Sequence, residues 1–162
     1  MTPYEIVKNK LDELNIEFEQ VDHPAAFTTE EADKYIEGIE GVRTKTMFLT
    51  DKKKTQWFLL VMDDIHRLDM ARFEEITGAK RMKMASADSL MEKMGLTPGS
   101  VSIFGLLNNK DHDINVYIEK AIVDEERMSF HPNDNTKTIF ISTPDMFRFF
   151  EHMGYEAKIA DL

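Results

Sequence analysis

The stretch from Ser129 to Ser142, S-F-H-P-N-D-N-T-K-T-I-F-I-S, admits few folds. Met128 and Phe130 supply the apolar positions of one strand, and Ile139 and Ile141 those of a second. Between them lie Pro132, Asn133, Asp134 and Asn135, each a turn former for its own backbone reason. The stretch therefore reads as two short strands joined by a tight polar turn. His131 stands at the mouth of that turn. It is either a surface turn residue or a group that reaches into a pocket, and the stretch alone leaves both readings open.

The remaining elements follow from start and stop signals. Thr2, Pro3 and Glu5 form a capping box, and Val7, Leu11 and Leu14 then recur at helical spacing. Residues 16–22 alternate as a strand that ends at His23-Pro24, because a residue before proline prefers extended geometry. Thr28 and Glu31 start a second helix that stops near Gly38. Thr44 to Thr50 and Gln56 to Met62 read as strands around the turn Asp51-Lys52-Lys53-Lys54, the second rich enough in apolar residues to be central. Asp69 caps a helix through Ile76, with Gly78 as its stop. Arg81 to Ala85 is a short strand. Ser86 opens a helix with Leu90, Met91 and Met94 inward and Gly95 at its end. Ile114 to Ile118 is a strand, and Thr143-Pro144-Asp145 begins a last helix with Phe147 and Phe150 inward. The order predicts an α+β fold. We expect a single domain, 1–162, with a mixed, mostly antiparallel central sheet flanked by helices, not a regular βαβ repeat.

Composition narrows the function. No apolar run approaches the ~20 residues of a membrane helix. The chain has no cysteine, which removes disulfides, thiolate metal sites and cysteine nucleophiles. With acidic residues and a helical pattern at its start in place of a signal peptide, it is expected to be cytoplasmic. A net charge of −10 argues against a general DNA or RNA binder. It leaves room for nucleic acid at a local basic patch, with Arg43 and Lys45, Lys52 to Lys54, and Lys80-Arg81 with Lys83 as candidates. No metal site is expected: the three neighbours Asp111-His112-Asp113 cannot readily point at one ion, and Asp63, Asp64, His66 and Asp69 read as a solvated loop and a helix cap. The set Met82, Met84, Met91 and Met94 reads as core.

Three segments have the character of a pocket. Arg43-Thr44-Lys45-Thr46 places a lysine at a strand start, where it can meet a phosphate as a mobile point charge. Pro98-Gly99-Ser100-Val101-Ser102 lets a ligand approach the backbone, whose N–H groups suit an oxyanion. His131 and its turn are the third.

Taken in order, V-D-H-P-A-A-F-T-T-E-E-A at 21–32, V-R-T-K-T-M-F-L at 42–49, G-L-T-P-G-S-V-S-I-F-G-L-L at 95–107 and S-F-H-P-N-D-N-T-K-T at 129–138 resemble the YbaK/ProX family. These are aminoacyl-tRNA deacylases related to the editing insertion of bacterial prolyl-tRNA synthetase, and the match is to the free-standing, PrdX-like branch. The resemblance implies that Lys45 contacts the terminal adenosine or its phosphate. It places Gly99, Ser100 and Ser102 in a loop beside the aminoacyl carbonyl, and His131, Asn135 and Thr136 in the family's F-H-P-x-x-N-T motif. His131 would position the aminoacyl group or ribose, with a general-base role as second choice. Phe27, Met47, Ile103 and Phe104 are expected as apolar walls. Two positions depart from the pattern: Thr46, where alanine-editing members often carry asparagine, and Ile103, where many relatives carry proline.

The expected reaction is hydrolysis of an aminoacyl ester on tRNA, with no cofactor and with help from the terminal 2′-hydroxyl. The expected substrate is alanine on proline tRNA, held by its 3′ CCA end, with prolyl-tRNA synthetase as a possible partner and the protein a monomer. Cysteine or serine as the amino acid, or a non-catalytic module that binds aminoacyl-tRNA or the synthetase, are the alternatives.

Overall fold

A computed structural model describes residues 1–162. The elements are α1 (Pro3–Glu13), β1 (Glu19–Asp22), α2 (Thr29–Tyr35), β2 (Thr44–Thr50), β3 (Trp57–Asp63), α3 (Met70–Thr77), β4 (Lys83–Met84), α4 (Ala87–Met94), β5 (Ile114–Glu119), β6 (Arg127–Phe130), β7 (Lys137–Ser142), α5 (Thr143–His152) and β8 (Ala157–Ala160). Two 3-10 turns, Ile103–Asn108 and Lys120–Ile122, flank β5. The class is α+β with mixed, mostly antiparallel strands, as expected.

The strands are divided over two sheets, however, with orders β4-β2-β3-β5-β8 and β1-β7-β6. The smaller sheet is wholly antiparallel, whereas the larger turns parallel at β3-β5 and β5-β8. A seam joins them. Val42 pairs with Met128, its N–H donates to the Arg127 carbonyl at 2.8 Å, and its carbonyl accepts from Ser129 N–H at 2.9 Å. Two residues on, Thr44 N–H donates to Ser129 Oγ at 3.2 Å. Beyond that point β2 and the chain leaving β6 part company, and a cleft opens between them.

The apolar run of β3 is explained by burial on both faces. Leu59 and Val61 enter the main core, while Phe58, Leu60 and Met62 enter a second core beneath α3, where Phe58 meets Phe73 at 6.0 Å between ring centroids. In α5 the inward positions are Met146, Phe149 and Phe150, and Phe147 is only half-buried. The i, i+3, i+4 stripe thus runs one residue earlier than expected. Likewise α4 buries Leu90 and Met94 but leaves Met91 exposed, and Met84 is exposed on the edge strand β4. Of the four methionines read as core, only Met82 and Met94 are buried. Strand β8 has no counterpart in the sequence reading. Gly105 permits close packing: a Cβ there would stand 2.3 Å from Met94 Cε.

Candidate active site

The cleft beside the seam has a volume of about 160 Å³ and is lined by Phe27, Lys45, Thr46, Gly99, Val101 and His131, among others. Four segments distant in sequence therefore converge on it.

His131 is held by its own hairpin. Its Nδ1 donates to the Lys137 carbonyl at 2.9 Å, which fixes the tautomer with the lone pair on Nε2. Nε2 makes no hydrogen bond within the chain. Burial, followed by the nearby His23, holds the His131 pKa below the usual histidine value. The ring is therefore neutral at pH 7 and offers an acceptor. His23 sits edge-on behind it, with ring centroids 6.3 Å apart. His23 is itself buried, stacked on Tyr35 at 5.2 Å, with Nδ1 bonded to the Pro24 carbonyl at 2.8 Å and Nε2 to Thr138 Oγ1 at 2.9 Å.

Lys45 is the second residue of β2, on the strand face that also carries Met47 and Leu49. Its ammonium donates to the main-chain carbonyl of His66, and no carboxylate lies within 4.0 Å of it to neutralise the charge. Behind this region Asp64 has one carboxyl oxygen buried without a partner. Burial first, and then Asp33 beside it, raise the Asp64 pKa to about 8, against the opposing pull of Lys45.

The Gly99 loop forms the opposite wall. Gly99 adopts φ +95°, a conformation that favours glycine, and a Cβ there would lie 3.6 Å from Phe27 Cδ1. Phe27 is 69% exposed and forms the rim. Ser100 N–H is consumed by the turn, donating to the Thr97 carbonyl at 3.1 Å. The N–H groups of Gly99 and Val101, by contrast, make no hydrogen bond within the chain.

A family model described as "Aminoacyl-tRNA editing domain" matches residues 23–149. That span contains every segment lining the cleft. The chain belongs to the aminoacyl-tRNA editing domain family. This editing domain is 33% identical over 154 residues to the prolyl-tRNA editing protein ProX of Acetoanaerobium sticklandii, covering 94% of this chain and 93% of that one. It is 29% identical over 158 residues to the prolyl-tRNA synthetase associated domain-containing protein 1 of Bos taurus, covering 94% and 91%. In fold it is similar to a solved structure proposed to be a trans-editing enzyme for prolyl tRNA synthetase, at TM-score 0.77 and 16% identity, covering 100% and 97%. The YbaK/ProX resemblance read from the four motifs is thus borne out.

Not every residue singled out in the sequence reaches the cleft of the editing domain. Phe27, Lys45, Thr46, Gly99 and His131 do. Ser102 is fully buried, donating to Asn133 Oδ1 at 2.9 Å and accepting from Phe104 N–H at 3.0 Å, so it caps the following turn. Ile103 and Phe104 go with it into the main core, and Met47 packs on the second core. Asn135 and Thr136 act through their carbonyls, which accept from Ala26 N–H at 3.0 Å and His23 N–H at 2.8 Å and hold the 23–26 segment in place. Arg43 is occupied by the carbonyls of Gly41 at 2.8 Å and Ile36 at 2.6 Å, and is no free phosphate ligand. Sequence reasoning missed His23, whose signal was present in the quoted D-H-P motif, and the Asp33–Asp64 pair, which has no local signal.

Two basic runs do come together. Strand β4 pairs with β2, Lys83 opposite Thr50, which brings Lys80 and Arg81 to the Lys52-Lys53 turn around a groove of about 510 Å³. None of these side chains is in an ion pair, although the protein is acidic overall.

Proposed function

We propose that this editing domain hydrolyses the ester linking a wrong amino acid, alanine foremost, to the 3′ end of proline tRNA. The observation that carries the reading is that Lys45, His131 and the loop bearing the unused N–H groups of Gly99 and Val101 line one small cleft. The names borne by the relatives supply the tRNA.

In this reading Lys45 meets the terminal phosphate or adenosine, so the ester enters between the Gly99 loop and His131. Water attacks the carbonyl carbon. Charge develops on the carbonyl oxygen, and the N–H groups of Gly99 and Val101 stabilise it. The C–O bond to the 3′-oxygen breaks, the 3′-hydroxyl takes up the proton and the free amino acid leaves. The neighbouring 2′-hydroxyl orients the water, and neutral His131 accepts a hydrogen bond from that hydroxyl or from the substrate amine. The protein contributes chiefly position and preorganised dipoles. A small cleft suits alanine because a synthetase pocket built for proline gains only ~1–3 kcal/mol per methylene against smaller competitors. The groove at Lys52, Lys53, Lys80 and Arg81 serves the acceptor-stem phosphates. It lies just past the end of β2, whose last residue, Thr50, is five residues from Lys45, about 17 Å of extended strand.

Thr46 places a hydroxyl at the cleft wall, which favours serine or cysteine as a second class of amino acid. The test is deacylation of Ala-, Pro-, Cys- and Ser-tRNA(Pro) side by side at low enzyme concentration. Selective loss of the alanyl ester is expected. Selective loss of the seryl or cysteinyl ester moves the specificity to Thr46, and survival of all four leaves a non-catalytic binding module.

A further inference from the structure

We propose that the pair formed by the buried Glu119 carboxylate and the partly exposed His66 ring is a positioning unit for Lys45, fixing where its ammonium meets the terminal nucleotide. This rests on the reading that Lys45 holds the 3′ end of tRNA.

A lysine stem is flexible, so a point charge that must select one phosphate or one sugar edge needs a fixed anchor. The anchor here is the His66 carbonyl, which accepts from Lys45 Nζ. It is a neutral acceptor. It orients the ammonium and leaves its charge available to an anion.

The carbonyl is in turn fixed by the loop that carries it. His66 N–H donates to the Asp63 carbonyl at 3.1 Å, and Ile65 N–H donates to Asp63 Oδ1 at 3.1 Å. Asp64 N–H donates to the Arg43 carbonyl at 2.9 Å, which ties the loop to the chain two residues before Lys45.

The last constraint comes from β5. Glu119 is the last residue of β5, and its side chain is only 8% exposed. A carboxylate is expensive to bury unless it is paired and hydrogen-bonded. Glu119 is both. Its Oε1 accepts from Asp63 N–H at 3.0 Å, and its two oxygens stand 3.0 and 2.9 Å from His66 Nδ1. The Glu119 hydrogen bond is also the largest cause of a His66 pKa above the usual value. One buried carboxylate thus clamps both ends of the turn that presents the lysine anchor. A capping role for Glu119 accounts for the Asp63 contact. It does not account for the bond to the His66 ring.

The experiment measures binding of uncharged tRNA(Pro), and of the same tRNA lacking its terminal adenosine, to the full chain. The variants are Lys45→Ala, Glu119→Gln, His66→Ala and the double variant Lys45→Ala/Glu119→Gln. Wild type is expected to prefer the intact tRNA by roughly tenfold or more, the scale of a charge-assisted hydrogen bond, and Lys45→Ala to lose that preference. Glu119→Gln and His66→Ala are expected to lose most of it while binding the shortened tRNA as wild type does. Glu119→Gln is expected to add nothing in the Lys45→Ala background. His66 is partly exposed, so its truncation guards against a folding defect in the buried variant. If wild type and Lys45→Ala do not differ, the reading of Lys45 fails. If they differ but Glu119→Gln and His66→Ala match wild type, or weaken both tRNAs equally, the positioning role is overturned.

Discussion

Ser102 Oγ donates to Asn133 Oδ1 at 2.9 Å, and both residues are buried. The bond ties the loop that carries Gly99 to the turn that carries His131, across residues 31 apart in sequence. Replacing Ser102 by Ala removes the cap on Phe104 N–H and leaves the Asn133 oxygen buried and unpaired. The expected cost is ~1–3 kcal/mol, or about 2–4 °C of melting temperature per kcal/mol for a chain of this size. A thermal melt checks it. An unchanged midpoint would mean that the two loops hold their positions without the bond.

Lys45 is the single full charge presented to the cleft without a carboxylate within 4.0 Å. Its replacement by Ala is expected to lower kcat/KM for the cleaved ester by ~10- to 150-fold, the range set by removing a hydrogen bond to a charged group. Lys45→Arg is expected to recover only part, because a planar fork does not reproduce a compact ammonium. Single-turnover deacylation of the three proteins separates these outcomes, and equal rates for wild type and Lys45→Ala would remove the lysine from the mechanism.

Local signals explain what the sequence made legible. The T-K-T-M-F-L-T alternation bounds β2 at Thr44 and Thr50 as expected, because one face meets the main core through Phe48 and the other the second core through Leu49. Lys45, Gly99 and His131 were legible because each stands in a motif with a local reason for its residue type. Ser102 was misplaced because a serine in a small-residue loop is as good a turn cap as a ligand contact, and Ile103 and Phe104 follow it inward. The division into two sheets was hidden, since it depends on Val42–Met128 and on Thr44–Ser129, a bond between residues 85 apart. Strand β8, A-K-I-A, is too short and too weakly apolar to announce itself, and parallel pairing with β5 alone defines it.

His131 must stay neutral for Nε2 to accept a hydrogen bond. Burial lowers its pKa from 6.5, so the ring charges only on the acid side of that value. Activity is expected to be insensitive to this group at pH 7 and to fall on acidification. The unfolded chain binds the proton first as pH drops through 6.5, so His131 also withdraws stability in that direction. His131→Asn, which keeps an acceptor without titrating, is expected to flatten the acid limb that wild type shows. A pH–rate profile with the same acid limb in both proteins would assign it to another group.

The groove at Lys80 and Arg81 gathers unpaired cations on an acidic protein. If it meets acceptor-stem phosphates, removing either cation should weaken binding about equally for any tRNA and reduce the slope of log K against log salt by about 1. Lys80→Ala and Arg81→Ala, titrated from low to physiological salt, give that slope directly. Unchanged slopes in both would take the groove out of RNA binding, whatever happens to turnover.

Asp64 titrates with a sign opposite to that of the usual carboxylate. Burial and the neighbouring Asp33 raise its pKa from 3.8 to about 8. Across that window the folded chain holds a proton that the unfolded chain has released, so rising pH removes stability. Asp64→Asn keeps the shape and abolishes the titration. The melting temperature of the variant minus that of wild type should therefore grow as pH rises from 4 to about 8 and then level off. Solvent around the partly exposed pair limits the effect to about 1 kcal/mol, or roughly 2–4 °C. A difference that is constant over the whole range would show that Asp64 ionises as freely in the folded protein as in the unfolded chain. Because Lys45 opposes the shift, Lys45→Ala should carry the dependence to higher pH in a protein that retains Asp64 and add no such dependence to the Asp64→Asn variant.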